Sequence, residues 1–308
     1  MKFINLFLFV ALSIIWGSSF ILMKEGMMAL TPYQVAAIRI FCAGIVLLPF
    51  AIKALRQLPR QKIPVIILAG LLGSFFPAFL FCIAETKIDS SLAGILNALT
   101  PLFTILIGVF FFDLQAGKQK IIGVTVGFVG LVLLFIGHGH PDTKNLPYTF
   151  LVLLATLMYG VNVNLVGRYM KEVGSFNIAI IAFSFLTVPC VIILFFTGYF
   201  DMDFTNKVVI WSTTVSAILG VMGTALANIL FYMLLKRAGP LFASTVTYAI
   251  PLVAVGWGIF YGEKISLLQV YSLVVILIGV YMANANKNPM DTFRRKNSLS
   301  KDVGPPNS

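Results

Sequence analysis

Polar and aromatic side chains recur in the middle of long apolar runs in this 308-residue chain, and their spacing repeats. Trp16-Gly17 returns as Tyr159-Gly160, 143 positions on, and Thr100-Pro101-Leu102 as Ile250-Pro251-Leu252, 150 positions on. Amphipathic rings favour membrane interfaces, so Trp16 and Tyr159 at mid-depth are unusual. They read as walls of a central cavity, each offering a ring face and one hydrogen bond; tight helix packing through the adjacent Gly is the plainer alternative. Pro101 and Pro251 read as helix kinks. An interior proline frees the carbonyl four residues earlier, here those of Asn97 and Thr247. Such freed groups are tolerated at membrane depth only under cover of protein or a wet cavity. Asn97, Thr100, Asn162, Asn228, Thr247 and Tyr248 therefore join Trp16 and Tyr159 as expected solute contacts. The chemistry of this set is reversible: stacking and hydrogen bonding around a solute.

Arg39 is the one charge deep inside a run. It either snorkels to the nearer surface or turns inward to hold a carbonyl, a carboxylate or a gating acid. Glu85 is the neighbouring acid suited to gating or proton coupling, although a solvated turn also contains such acids. Asp113 and Glu263, again 150 apart, put an acid where the helix dipole disfavours one. Their recurrence predicts a specific partner, such as the N-terminus of the next helix. Covalent and metal chemistry find no support. Cys42, Cys82 and Cys190 sit in apolar runs without metal-ligand spacing, and His138 and His140 share one short connector. No Walker loop, HExxH or Gly-x-Ser-x-Gly occurs. The expectation is no enzyme, no catalytic residue, no metal and no cofactor. A membrane-embedded enzyme would need converging nucleophiles or ligands, and a sensor or scaffold would more often carry a soluble output domain.

The elements that must position these residues follow from composition. Hydrophobic residues make up 59% and charged residues 11%, with a mean hydropathy of +0.97. A soluble domain is about one-quarter charged. Apolar runs cover roughly 3–23, 32–54, 63–85, 90–112, 120–137, 148–168, 174–198, 208–233, 240–261 and 267–285. About 20 residues cross a hydrocarbon core as a helix, and lipid leaves the backbone little alternative. The predicted fold is an all-α integral membrane protein with ten transmembrane helices in two inverted five-helix repeats, since an odd count reverses the second copy. The repeats span 1–138 and 148–285, with a connector at 139–147 and a disordered basic cytoplasmic tail at 286–308. The first run continues past the small residues that could end a leader peptide, so it is read as a working helix. Thr31-Pro32-Tyr33-Gln34 and Ser266-Leu267-Leu268-Gln269 have the capping-box pattern.

The net charge of +11 marks topology rather than a nucleic-acid partner. Of 22 Lys and Arg, sixteen fall on the side of the termini and five on the other: Lys24, Lys87, Lys144, Lys207 and Lys264. This positive-inside split predicts an inner (plasma) membrane protein with both termini cytoplasmic. The Gly-rich spacing at Gly123, Gly127 and Gly130 suits either packing within the chain or a homodimer.

Several of these segments resemble the drug/metabolite transporter superfamily, within it the EamA-type permeases. They are Ile15-Trp16-Gly17-Ser18-Ser19-Phe20, Ala37-Ile38-Arg39-Ile40, Ser91-Leu92-Ala93-Gly94, Leu99-Thr100-Pro101-Leu102-Phe103, Ala249-Ile250-Pro251-Leu252 and Gly262-Glu263. Where the family has Gly-Glu after the fourth span, this chain has Phe112-Asp113. The resemblance implies a pore between the halves, a small-molecule solute, and export driven by a proton gradient, exchange or the solute's own gradient.

Overall fold

The computed structural model describes residues 2–113, 117–136, 145–244 and 246–284, and their regular structure is helical. His138, His140, Thr245, most of the 139–147 connector and the 286–308 tail lie outside the described residues. In chain order the helices are α1 Lys2–Gly26, α2 Pro32–Leu47, α3 Ala51–Gln57, α4 Ile63–Gly70, α5 Phe76–Ala84, α6 Ser90–Asn97 and α7 Thr100–Phe111. Then follow α8 Lys118–Ile136, α9 Leu146–Tyr169, α10 Ser175–Phe196, α11 Lys207–Ile218, α12 Ala227–Ser244, α13 Val246–Phe260 and α14 Leu267–Asn284.

Among the described residues, seven helical stretches are long and apolar enough to cross a bilayer: Phe3–Gly26, Pro32–Gln57, Arg60–Ala84, Ser90–Phe111, Leu146–Tyr169, Ser175–Phe196 and Lys207–Ala238. Ile122–Leu133, Val246–Phe260 and Leu267–Gly279 are apolar but shorter. Phe110, Phe111, Phe196 and Phe260 stand largely exposed on the outside. Such a surface suits lipid and would be a liability in water.

Both expected capping boxes form. Thr31 accepts from the Gln34 amide while the Gln34 side chain accepts from the Thr31 amide. Ser266 and Gln269 do the same for α14. Two long helices carry a π turn, Leu71–Phe75 between α4 and α5 and Leu219–Leu226 between α11 and α12. A third span is broken: α6 stops at Asn97 and α7 starts at Thr100, with Pro101 in its first turn. The interruption at Pro101 is thus a new helix start rather than a bend in a continuous one, whereas Pro251 lies inside an unbroken α13.

Packing partners come in matched sets. α1 lies on α13 as α9 lies on α7, while α2 pairs with α10 and α8 with α14. The glycine beside each mid-span aromatic makes the first two contacts close. A Cβ on Gly17 would run into Val253, and one on Gly160 would lie 2.9 Å from the Thr104 amide nitrogen. Val253 and Phe103, at the two crossings, are themselves 150 positions apart. The Gly127 and Gly130 face of α8 packs against Gly279, Ile276 and Ser272 of α14, so this seam serves packing within the chain.

Candidate functional site

A cavity lies between the two halves, with about 90 Å³ open to the centres of water-sized molecules. That is several times what one water needs. Trp16, Asn97, Thr100, Tyr159, Asn162, Asn228 and Thr247 line it, together with Arg39. Tyr248, grouped with them on sequence, does not. Its side chain packs half-buried against the core on the turn next to Thr247. Pro101 and Pro251 are also off the wall, although their neighbours Thr100 and Ile250 are on it.

Two rings face each other across each side of the chamber. Trp16 lies 5.2 Å from Phe231 between ring centroids, and Tyr159 stacks on Phe81 at 6.1 Å. The polar edges differ from expectation. The Trp16 indole already donates to the Gly223 carbonyl at 3.1 Å, so it offers the cavity a ring face alone. Tyr159 makes no hydrogen bond among the described residues. The Asn97 carbonyl, freed by Pro101, accepts from the Thr100 hydroxyl at 2.8 Å. Asn164, two positions beyond Asn162, ties α9 to α7 by donating to the Thr104 carbonyl, and also donates to Gly160 within its own helix.

The two π turns place a further matched pair of residues at the site. Gly73-Ser74 lies in the first and Gly223-Thr224 in the second, 150 positions apart. Each π turn displaces backbone from the α-helical ladder, a feature common at functional sites. Gly73 and Ser74 line the cavity directly. Gly223 and Thr224 serve it through others: one holds Trp16, and the other accepts from Arg39 Nε at 2.6 Å. The signal was the same 150-residue recurrence that marks the prolines.

Arg39 therefore turns inward. Its other contact is Nη1 to the Met23 sulfur at 3.6 Å, a weak acceptor. The described residues form two ion pairs, Lys24–Glu263 and Arg168–Asp113, and Arg39 belongs to neither. Asn162, 5% exposed, lies beside Tyr232 and its Oδ1 has no partner among the described residues. An unsatisfied buried acceptor costs roughly 1–3 kcal/mol.

The ion pairs sit at opposite ends of the α6–α7 span. That stretch, Ser90–Phe111, has 22 residues, roughly 33 Å as a helix. At its start, Glu263 accepts from Lys24 Nζ at 2.9 Å and from the Ser90 and Ser91 amides at 3.1 Å each. The carboxylate thus meets the N-terminus of α6, whose dipole favours an anion, and a cation on the last turn of α1, whose dipole favours that cation. The partner is α6, not the next helix α14. Burial alone would push the Glu263 carboxyl up; the Lys24 and Ser91 hydrogen bonds and the Lys24 charge outweigh it and hold the carboxyl below its usual range.

Glu85 is buried just behind this network and outside the cavity lining. Its Oε2 accepts from the Ser90 hydroxyl at 3.2 Å, and Oε1 has no partner. Burial pushes its carboxyl well above the usual range, against the smaller pull of Ser90, Lys24 and Arg39. At the far end Arg168 meets Asp113 at 3.1 Å, with the Asp113 side chain 89% exposed.

Comparison with known proteins agrees with this architecture. A solved crystal structure superposes with a TM-score of 0.62 at 16% identity, over 91% of this chain and 96% of that one, which shows a shared fold. The transporter YdfC of Bacillus subtilis is 26% identical over 281 residues, 90% of each chain. The inner membrane transporter YedA of Escherichia coli K12 is 25% identical over 284 residues, 90% of this chain and 89% of its own. A probable amino-acid metabolite efflux pump of Salmonella typhimurium is 26% identical over 133 residues, 42% of each chain. The EamA-like transporter family profile matches twice, at residues 3–136 and 146–285. The chain belongs to the EamA-like transporter family.

Proposed function

We propose that this membrane transporter is a secondary exporter of small metabolites that works by alternating access. In this reading ten membrane helices form two inverted sets of five, and the cavity is the solute site. The observation that carries it is the cavity's position between two ion pairs. Lys24–Glu263 fastens α1 and α6 to the α13–α14 turn, and Arg168–Asp113 fastens α9 to the end of α7. Each pair joins one half of the chain to the other, so parting one while closing the other gives access from alternate sides. Both pairs are made in this structure; in this reading Lys24–Glu263, the buried one, is what holds its end closed.

The charge split supports placing that end outside, with both termini in the cytoplasm of an inner (plasma) membrane. Export is supported by the Salmonella relative described as a probable amino-acid metabolite efflux pump. Glu85, behind the closed end, is the group through which a proton gradient could act.

The test compares metabolite profiles of cells with and without the protein, followed by flux of the accumulated solute in inside-out vesicles. Trp16→Ala and Asn228→Ala are expected to cut flux about tenfold or more, the effect of losing a well-placed contact, while the purified variants stay monodisperse. Folded variants that transport at the unmodified rate would show that these residues only pack.

A further inference from the structure

Resting on that transport reading, we propose that the cavity is built for an organic monoanion. Its single carboxylate meets Arg39, an N–H or O–H donor meets Asn162, and an apolar body lies between the ring walls.

The first argument is charge. Arg39 lines the cavity, yet its guanidinium is held only by a neutral hydroxyl and a thioether. Among the described residues no acid forms an ion pair with it. Glu263 is paired with Lys24, Asp113 with Arg168, Glu85 is turned to Ser90, and Asp89 lies at the N-terminus of α6. A half-buried guanidinium needs a complement, and it suits a carboxylate's two oxygens particularly well. The matching position of the other half carries no second cation, because 143 residues beyond Arg39 stands Ala182. One fixed positive charge in a chamber of low polarity balances one negative charge; a dianion leaves an excess, and a cation is repelled.

The second argument is the orphaned acceptor. Asn162 Oδ1 is buried with no donor, and the side chain lies on the cavity wall. Among the described residues no group donates to it, and in this proposal the occupant supplies the hydrogen. The third is shape. Trp16 has its N–H committed to Gly223, and Phe231 and Phe81 have no polar group to offer. These three rings therefore offer faces alone, and the space between them takes a flat apolar body.

A charge series on one skeleton tests this without knowing the natural solute: 4-hydroxybenzoate, neutral 4-hydroxybenzyl alcohol, cationic tyramine and dianionic 5-hydroxyisophthalate. Binding to the purified full chain in detergent is read from quenching of tryptophan fluorescence and from thermal stabilisation. 4-Hydroxybenzoate is expected to bind at least about tenfold more tightly than the other three. Arg39→Gln should remove that preference while leaving the weak binding of the alcohol, Arg39→Lys should keep part of it, and Asn162→Leu should weaken 4-hydroxybenzoate more than unsubstituted benzoate. Tighter binding of the neutral, cationic or dianionic member, or no binding by any member, overturns the inference. So does a folded Arg39→Gln protein with the preference intact. Should the variants fail to fold, the series on the unmodified chain still decides. Monoanion-selective binding without flux in proteoliposomes would instead sink the transport reading and leave the anion site standing.

Discussion

At the α13–α14 turn Gly262 takes the left-handed backbone, φ 79°, and Glu263 returns beneath the end of the helix. At the end of α7 the corresponding position is Phe112, and Asp113 itself takes the left-handed conformation, φ 56°. The two acids stand 150 residues apart in comparable turns. A glycine makes the reversal without steric cost and leaves the next residue in ordinary backbone, free to fold inward. Without it the acid must make the reversal, and its side chain faces out. The Glu263 side chain is 3% exposed and collects a cation and two amides; the Asp113 side chain is 89% exposed and collects one Arg168 nitrogen. One missing glycine thus separates a buried latch from a surface pair.

The strongest way to break this comparison is to neutralise the buried acid. Glu263→Gln should destabilise the described conformation by about 2–3 kcal/mol, less than a fully buried pair because Lys24 is partly exposed. The check is thermal unfolding in detergent together with cysteine accessibility of the cavity. The same latch should loosen on acidification. The Glu263 carboxyl is held below its ordinary value, so its contribution is complete above the ordinary carboxylate pKa and fades as pH falls through the lowered one. Stability measured from pH 6 to pH 3 should fall in that window, and Glu263→Gln should flatten the response. The backbone comparison comes next. Gly262→Ala should cost about 1–2 kcal/mol for a side chain in left-handed backbone, whereas Asp113→Gly should relieve up to about 1 kcal/mol. Unfolding midpoints that move in the same direction for both would end the glycine argument. Smallest of all, Asp113→Asn should change stability by about 0.5 kcal/mol or less, as exposed pairs do.

Most of the cavity was legible because duplication marks it. Trp16 and Tyr159, Asn97 and Thr247, and the prolines behind them repeat at fixed spacing, and seven of the eight expected solute contacts reach the wall. Tyr248 fails because apolar content and depth say nothing of which face a residue takes, and it stands about 100° round the helix from Thr247. Arg39 was open between lipid and core for the same reason; only Thr224, from another helix, decides it. The α6 amides that hold Glu263 are 172 and 173 positions away in the chain, beyond any local pattern. Helix caps, by contrast, are local chemistry, and both capping boxes form where the residues indicate.

The π turn at Leu219–Leu226 has a further consequence for how this segment tolerates change. Were the same residues wound there as a regular α-helix, the chain would keep its length and hydropathy, yet everything beyond would swing by roughly 100°. Asn228 and Phe231 would rotate out of the chamber together. The wider turn is therefore as much a part of the cavity wall as side-chain identity, and regular winding through it would strip the wall without altering a single residue on it.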